Sequence, residues 1–186
     1  MKKITKKHNK KNNETKKTKT YLIGLLLLVF LILVLDITFM SYSNPDSFVE
    51  NHTTEYEDTI FFTYEVNRYP TSVEISNITD KNISIGFALD PNGIDFGMVP
   101  TGGNAGKRFI TLENTKKDDA KIILEAYGNI SSMVHFDDNE FYLITGNLKD
   151  IEIALETKND THIGNYEGEI DIVVKRSKYE FINWLL

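Results

Sequence analysis

The sequence predicts an all-β fold, an immunoglobulin-like antiparallel β-sandwich preceded by a single N-terminal transmembrane helix. Three observations carry this expectation. Tyr21 to Leu35 is an apolar run without a charge. Beyond residue 82, apolar residues recur at every second position in short stretches parted by turn clusters, with no sustained helical period. The chain has no cysteine, so a lipidated cysteine and disulfide support are both ruled out, and a hydrophobic core alone must hold the outer part together.

The apolar run reaches residue 40 if Asp36 and Thr38 lie at one interface. At about 1.5 Å per residue such a helix spans roughly 30 Å, one hydrocarbon core. Lipid offers no partner for backbone N–H and C=O groups, so they must pair within the segment, as a helix does. A buried helix of a soluble domain would show a polar face, and this run has none. Asp36 is tolerable only near the headgroups, where a helix starting at Tyr21 puts it.

The flanks set the direction. Nine lysines and one acid, Glu14, precede the run, and the first Lys or Arg after it is Arg68. That asymmetry puts residues 1–20 in the cytoplasm as a basic tail, residues 21–40 in the lipid bilayer as a signal-anchor, and the rest outside as a single-pass cell-membrane protein. Lysine tails also suit nucleic acid or anionic lipid, but the topogenic role accounts for this one, and no nucleic-acid partner is expected. The alternative to a retained anchor is a secretory signal cleaved after Ser41-Tyr42-Ser43. The long basic region and long apolar run favour retention.

Beyond the run, 25 acids face 12 basic residues. So acidic a portion repels nucleic acid and anionic surfaces and suits solubility. Residues 41–58 are polar, acidic and poor in aliphatics, and read as a stalk. Residues 59–186 are enough for one sandwich, its core in 83–175. Five Asn-x-Ser/Thr sequons lie beyond the anchor, at Asn51, Asn77, Asn82, Asn129 and Asn159, and are candidate glycan sites for an exported chain; a chain so rich in Asn, Ser and Thr also produces sequons by chance.

In order along the outer portion, Thr59 to Val66 is rich in β-branched and aromatic residues and reads as a strand. Asn67-Arg-Tyr-Pro70 breaks it, and Ser72 to Ser76 alternates again. Ile83, Ile85, Phe87 and Leu89 share one face, and Asp90-Pro-Asn-Gly93 is a turn by composition. Ile94, Phe96 and Met98 continue an apolar face. Ile110 and Leu112 point inward on the next strand, followed by Ala120, Ile122, Leu124 and Ala126. Val134 and Phe136, Phe141 and Leu143, and Ile151, Ile153 and Leu155 repeat the pattern, which ends with Tyr166, Gly168, Ile170, Ile172 and Val174. Alternation gives each sheet one wet and one dry face, and two dry faces pack about 10 Å apart. The C-terminal Ser177–Leu186, with the only Trp, reads as an edge strand or short amphipathic helix that plugs the core, the alternative being a partner-binding tail.

Three stretches together resemble a family. Ile94-Asp-Phe-Gly-Met-Val-Pro-Thr-Gly-Gly103 and Arg108-Phe-Ile-Thr-Leu-Glu-Asn114 look like opening strands of the ASH-type (abnormal-spindle/Hydin-like) immunoglobulin-like domains, where an FG-x-V-x-x-G stretch leads to a strand ending Leu-x-Asn. Gly164-Asn-Tyr-Glu-Gly-Glu-Ile-Asp-Ile172 is similar to their G-x-Y-x-G-x-I-x-I strand. The resemblance covers about residues 83–175 and implies a binding or scaffolding module, more like a bacterial or archaeal surface protein than a ciliary one. It singles out Asn114, Gly164, Tyr166 and Gly168 as structural residues. Independently of family, Tyr166 is placed like a tyrosine corner, and Gly168 stands where many immunoglobulin domains carry their second Cys, so close packing replaces the disulfide.

No catalytic set is expected. His8, His52, His135 and His162 fall in no zinc spacing, and no Gly-x-Ser-x-Gly elbow occurs. Thr101-Gly-Gly-Asn-Ala-Gly-Lys107 lacks the glycine spacing of a phosphate loop. Asp90, Asn92 and Asp95 could offer oxygen ligands to calcium, with Asp137-Asp138 a second cluster, but Thr101 stands where a bidentate acid would be needed; ordinary turn chemistry explains both. No cofactor is expected. With 25 acids some carboxylate pair falls close by chance, so glycosidase chemistry gains nothing from one. The expected function is a non-catalytic, membrane-anchored binding or scaffolding protein of the cell envelope, contacting an envelope protein or polymer through sheet edges. The alternatives are a subunit of a pilus-like surface filament, against which the lack of Gly or Ala at Lys19-Thr20-Tyr21 speaks, and a secreted carbohydrate-binding module.

Overall fold

The computed structural model describes residues 18–32, 34, 45, 47–77 and 92–186, without the side chain of Leu185. The chain divides into two compact units, residues 1–43 and 44–186. In the first, residues 18–32 are helical, as is Val34. Fifteen helical residues rise only about 22 Å, and among the described residues no helix is long and apolar enough to cross a membrane. The expected helix of 21–40 is thus seen in its first part; residues 1–17, 33 and 35–44, including the Ser41–Ser43 site, lie outside the described residues.

The second unit is a two-sheet β-sandwich. Its strands are β1 (Thr53–Asp58), β2 (Phe62–Ser76), β3 (Ile94–Pro100), β4 (Ala105–Glu113), β5 (Ala120–Gly128), β6 (Val134–Phe136), β7 (Phe141–Leu143), β8 (Leu148–Glu156) and β9 (Gly164–Ser177). One sheet has the order β1-β2-β9-β5-β7, with β3 added beside β2, and the other the order β4-β8-β6. Pairing is antiparallel throughout except between β2 and β3, which run parallel. The stretch expected as stalk is therefore partly folded: residues 53–58 are a strand, paired antiparallel at all six positions with Arg68 to Thr63 of β2.

The core lies between the sheets. Val73, Ile75, Phe96, Ile122, Leu124, Ile170 and Ile172 from the larger sheet meet Val134, Ile151, Ile153 and Leu155 from the smaller, with Ile110 and Leu112 packed partly buried against them. These are the positions at which alternation predicts inward side chains. The strand expected over Ile83–Leu89 lies outside the described residues.

Two departures have clear causes. The break expected at Asn67–Pro70 is absent, and β2 runs through it for 15 residues. On one side β2 pairs with β9 from Phe62 to Ile75; on the other it changes partner, from β1 up to Arg68 to β3 from Thr71. Pro70, which has no N–H to donate, falls in the gap between the two. In β3, Met98 is 56% exposed and Val99 is buried instead. Gly97 takes φ 69, and the register with β2 shifts between Ser72 and Glu74, so a bulge resets the alternation.

Strand β9 is buried on both faces, from Gly168 to Val173. Its outward residues Glu169, Asp171 and Val173 stand opposite Pro70, Arg68 and Val66 of β2 and Tyr127, Glu125 and Ile123 of β5. At the chain end, Glu180–Leu185 forms a 3-10 turn. Ile182 and Leu186 are buried, whereas Trp184 is 77% exposed, with its Nε1–H donating to the Phe181 carbonyl at 3.1 Å.

Candidate functional site

The residues singled out in the sequence separate into structural pieces. Tyr166 donates its hydroxyl to the carbonyl of His162 at 2.9 Å, holding the turn before β9 to the strand. Gly168 lies against β5 so closely that a Cβ there would sit 2.0 Å from the Tyr127 carbonyl oxygen. Asn114 is buried and hydrogen-bonded at both ends of its amide: Nδ2 donates to the carbonyls of Asp118 and Leu143, and Oδ1 accepts from Arg176. Gly164 opens β9.

The calcium candidates that the structure describes are engaged in hydrogen bonds within the protein. Asp90 lies outside the described residues, and the exposed Asn92 accepts the backbone N–H of His52 through its carbonyl. Asp95 Oδ1 accepts from Gly97 N at 2.8 Å and Ser72 Oγ at 3.2 Å, a side chain closing its own turn. Asp138 pairs with Lys149, and Asp137 Oδ1 accepts from Glu152 N. Among the described residues no group of three or more metal-type side chains is gathered. Of the sequons, Asn51, Asn77, Asn129 and Asn159 are exposed, and Asn129 Oδ1 accepts from Glu167 N; Asn82 lies outside the described residues.

Two features remain that a partner or a proton could use. The first is an edge. Strand β4 is outermost in its three-stranded sheet, and Phe109 at its middle is 69% exposed, flanked on that face by Lys107 and Thr111. The second is a polar cluster on the outer face of the larger sheet. Arg68, one-fifth exposed, lies 3.3 Å from Glu55, 3.8 Å from Glu169 and 4.0 Å from Asp171. Glu169 and Asp171 are 0% and 1% exposed. Val49 N donates to Glu169 Oε2 at 2.8 Å, so residues 48–50 lie against Glu169, while Arg68, met by Glu55 of β1, stands beside Asp171. Beside it, a cleft of about 590 Å³ is lined by Phe48, Glu50, Pro70, Asp95 and Glu167 among others.

Burial, and after it the neighbouring carboxyl of Glu169, push the Asp171 carboxyl up to about 7, against the opposing charge of Arg68. Period-2 reading missed this cluster because Glu169 and Asp171 occupy what alternation marks as the wet face. One signal was present: Val173 follows Ile172 and precedes Val174, so the outward face of β9 turns apolar at 173.

Compared with family models, with curated proteins and with solved structures, the chain has no match in any of the three.

Proposed function

We propose that the chain is a non-catalytic, membrane-anchored binding or scaffolding protein of the cell envelope. Residues 21–40 sit in the bilayer, the lysine tail faces the cytoplasm, and an immunoglobulin-like sandwich of the ASH type projects outside. The flanking charges and the apolar helix, whose residues from Tyr21 to Ile32 are exposed along with Val34, support the anchor. The hydroxyl of Tyr166 on the His162 carbonyl and the glycine contact between β9 and β5 support the immunoglobulin-like assignment.

The outermost position of β4 carries the binding reading. An extended segment of an envelope partner adds to this edge through main-chain hydrogen bonds, with Phe109 supplying an apolar contact beside them. Two measurements test it. Protease added to intact cells trims the carboxy-terminal unit, and a photo-crosslinker at position 109 captures an envelope component far more efficiently than one at His135, exposed on the opposite edge strand of the same sheet. Protection of that unit in intact cells overturns the topology, and equal capture at both positions overturns the edge.

A further inference from the structure

We infer that residues 48–58 are a pH-operated strap, held on the larger sheet while the Glu169–Asp171 pair carries a proton and released when that proton leaves. The hold has several points. Val49 N–H donates to Glu169 Oε2 at 2.8 Å, and the Phe48 ring lies 2.9 Å from where a Cβ on Gly128 would stand. His52 stacks on Tyr69 with ring centroids 4.3 Å apart and donates its backbone N–H to the Asn92 carbonyl at 2.8 Å. Glu55 reaches Arg68 at 3.3 Å.

The charges around Asp171 do not balance. From its own strand it faces Glu169, from β2 Arg68, and from β5 Glu125, which accepts the hydroxyl of Tyr127. The strap brings Glu55, and Glu50 and His52 at its start. A single guanidinium is thus divided among Glu55, Glu169 and Asp171 at 3.3 to 4.0 Å. As two carboxylates, the pair leaves Glu169 Oε1 and Asp171 Oδ1 buried without a hydrogen-bond partner, a costly state for buried acceptors. One proton placed between the two carboxyls turns an acceptor into a donor and satisfies both.

When the proton is lost, a second charge appears where water has no access, and the cheapest relief is to let water in. The cover that yields is the strap. Strand β1 is exposed at all six positions and lies at the sheet edge, whereas β9 is paired on both sides; local opening follows the weakest cover. The sign follows from the raised proton affinity of the closed form. The strap's stability is complete below the ordinary carboxylate range near 3.8, falls as pH rises from there, and has been lost once pH passes about 7. For the tether proposed above, release adds up to about 36 Å of reach, but the strap itself does not depend on the anchor.

The test is amide hydrogen exchange of the full chain, read as the rate for peptides in 47–58 divided by that for β8 in the same sample, which cancels the intrinsic effect of pH. The ratio rises about tenfold or more between pH 5.5 and pH 8.5. It stays low at pH 8.5 in Asp171→Asn, or in Glu169→Gln should the first variant not fold. A flat ratio in the unmodified chain overturns the strap, as does opening of Asp171→Asn equal to the unmodified chain. A pH response abolished by His52→Gln and kept by Asp171→Asn also overturns it, since the proton would then sit on the imidazole.

Discussion

Asn114 Nδ2 donates to the carbonyl oxygen of Leu143 at 2.9 Å, tying the end of β4 in one sheet to β7 in the other. The same amide closes the Asp118 loop and accepts Arg176 through Oδ1, so one buried side chain holds three segments at the end of the sandwich.

Replacing it should therefore cost more than one hydrogen bond. Asn114→Ala leaves the buried Leu143 carbonyl and the Arg176 guanidinium short of a partner and frees the Asp118 loop, and a loss of about 2–3 kcal/mol is expected in urea unfolding. Asn114→Asp should lose a similar amount near neutral pH, because an ionised carboxylate cannot donate to the Leu143 and Asp118 carbonyls. A loss under about 0.5 kcal/mol in both variants would remove Asn114 from the structural role given to it.

Two glycines separate space from conformation. At Gly168 a Cβ meets the Tyr127 carbonyl oxygen at 2.0 Å and the Ile130 side chain at 2.5 Å, so Gly168→Ala must push β5 from β9. A destabilisation of about 3 kcal/mol or more is expected, or failure to fold. At Gly97, φ is +69 with nothing within 4 Å, so Gly97→Ala should cost only about 1–2 kcal/mol, the penalty of a left-handed alanine. Circular dichroism melts of the two variants check the order.

Tyr166→Phe removes one hydroxyl whose partner is a backbone carbonyl at a half-exposed turn. The expected loss is about 1 kcal/mol, with faster amide exchange in residues 162–166 and little change in β5. Exchange that accelerates equally through β5 would show that the hydroxyl does more than hold its own turn.

Arg68→Met should depend on pH. Arg68 is the charge that lowers the Asp171 proton affinity, so without it the carboxyl holds its proton to higher pH and the buried pair has no cation beside it. Near pH 8.5, where the pair is fully charged, the loss should exceed that near pH 5, where protonation relieves it, yet stay below the roughly 3–5 kcal/mol of a broken pair that remains buried, because the opened strap admits water. Urea titrations at the two pH values check this; an equal loss at both would point to packing by the arginine stem instead.

Much of the sandwich was legible because burial of a single sheet face imposes period 2. Ile151, Ile153 and Leu155, or Ala120, Ile122 and Leu124, declare their inward face without any knowledge of partners. The pattern loses its meaning where a strand is covered twice. On β9, Glu169 and Asp171 look like solvent-facing positions and are buried. What meets them, Val49 at Glu169 and Arg68 at Asp171, is more than 100 positions away in the chain, beyond any local pattern. The β2 continuation through Pro70 was hidden for a related reason. A proline forbids a ladder bond only where a neighbour needs one, and the neighbours of β2 are known only once β1, β3 and β9 are assembled.

The amino-acid order alone determined the all-β character of the outer unit, most of its inward residues, the turn chemistry of Asp95 and the charge asymmetry around the apolar run, since each is written in stretches of neighbouring residues. Tertiary structure decided the parallel docking of β3 on β2, the folding of residues 53–58 into the sheet and the meeting of Arg68, Glu169 and Asp171. Those depend on which distant segments come together, and the desolvation that gives a carboxyl its unusual proton affinity exists only after they have.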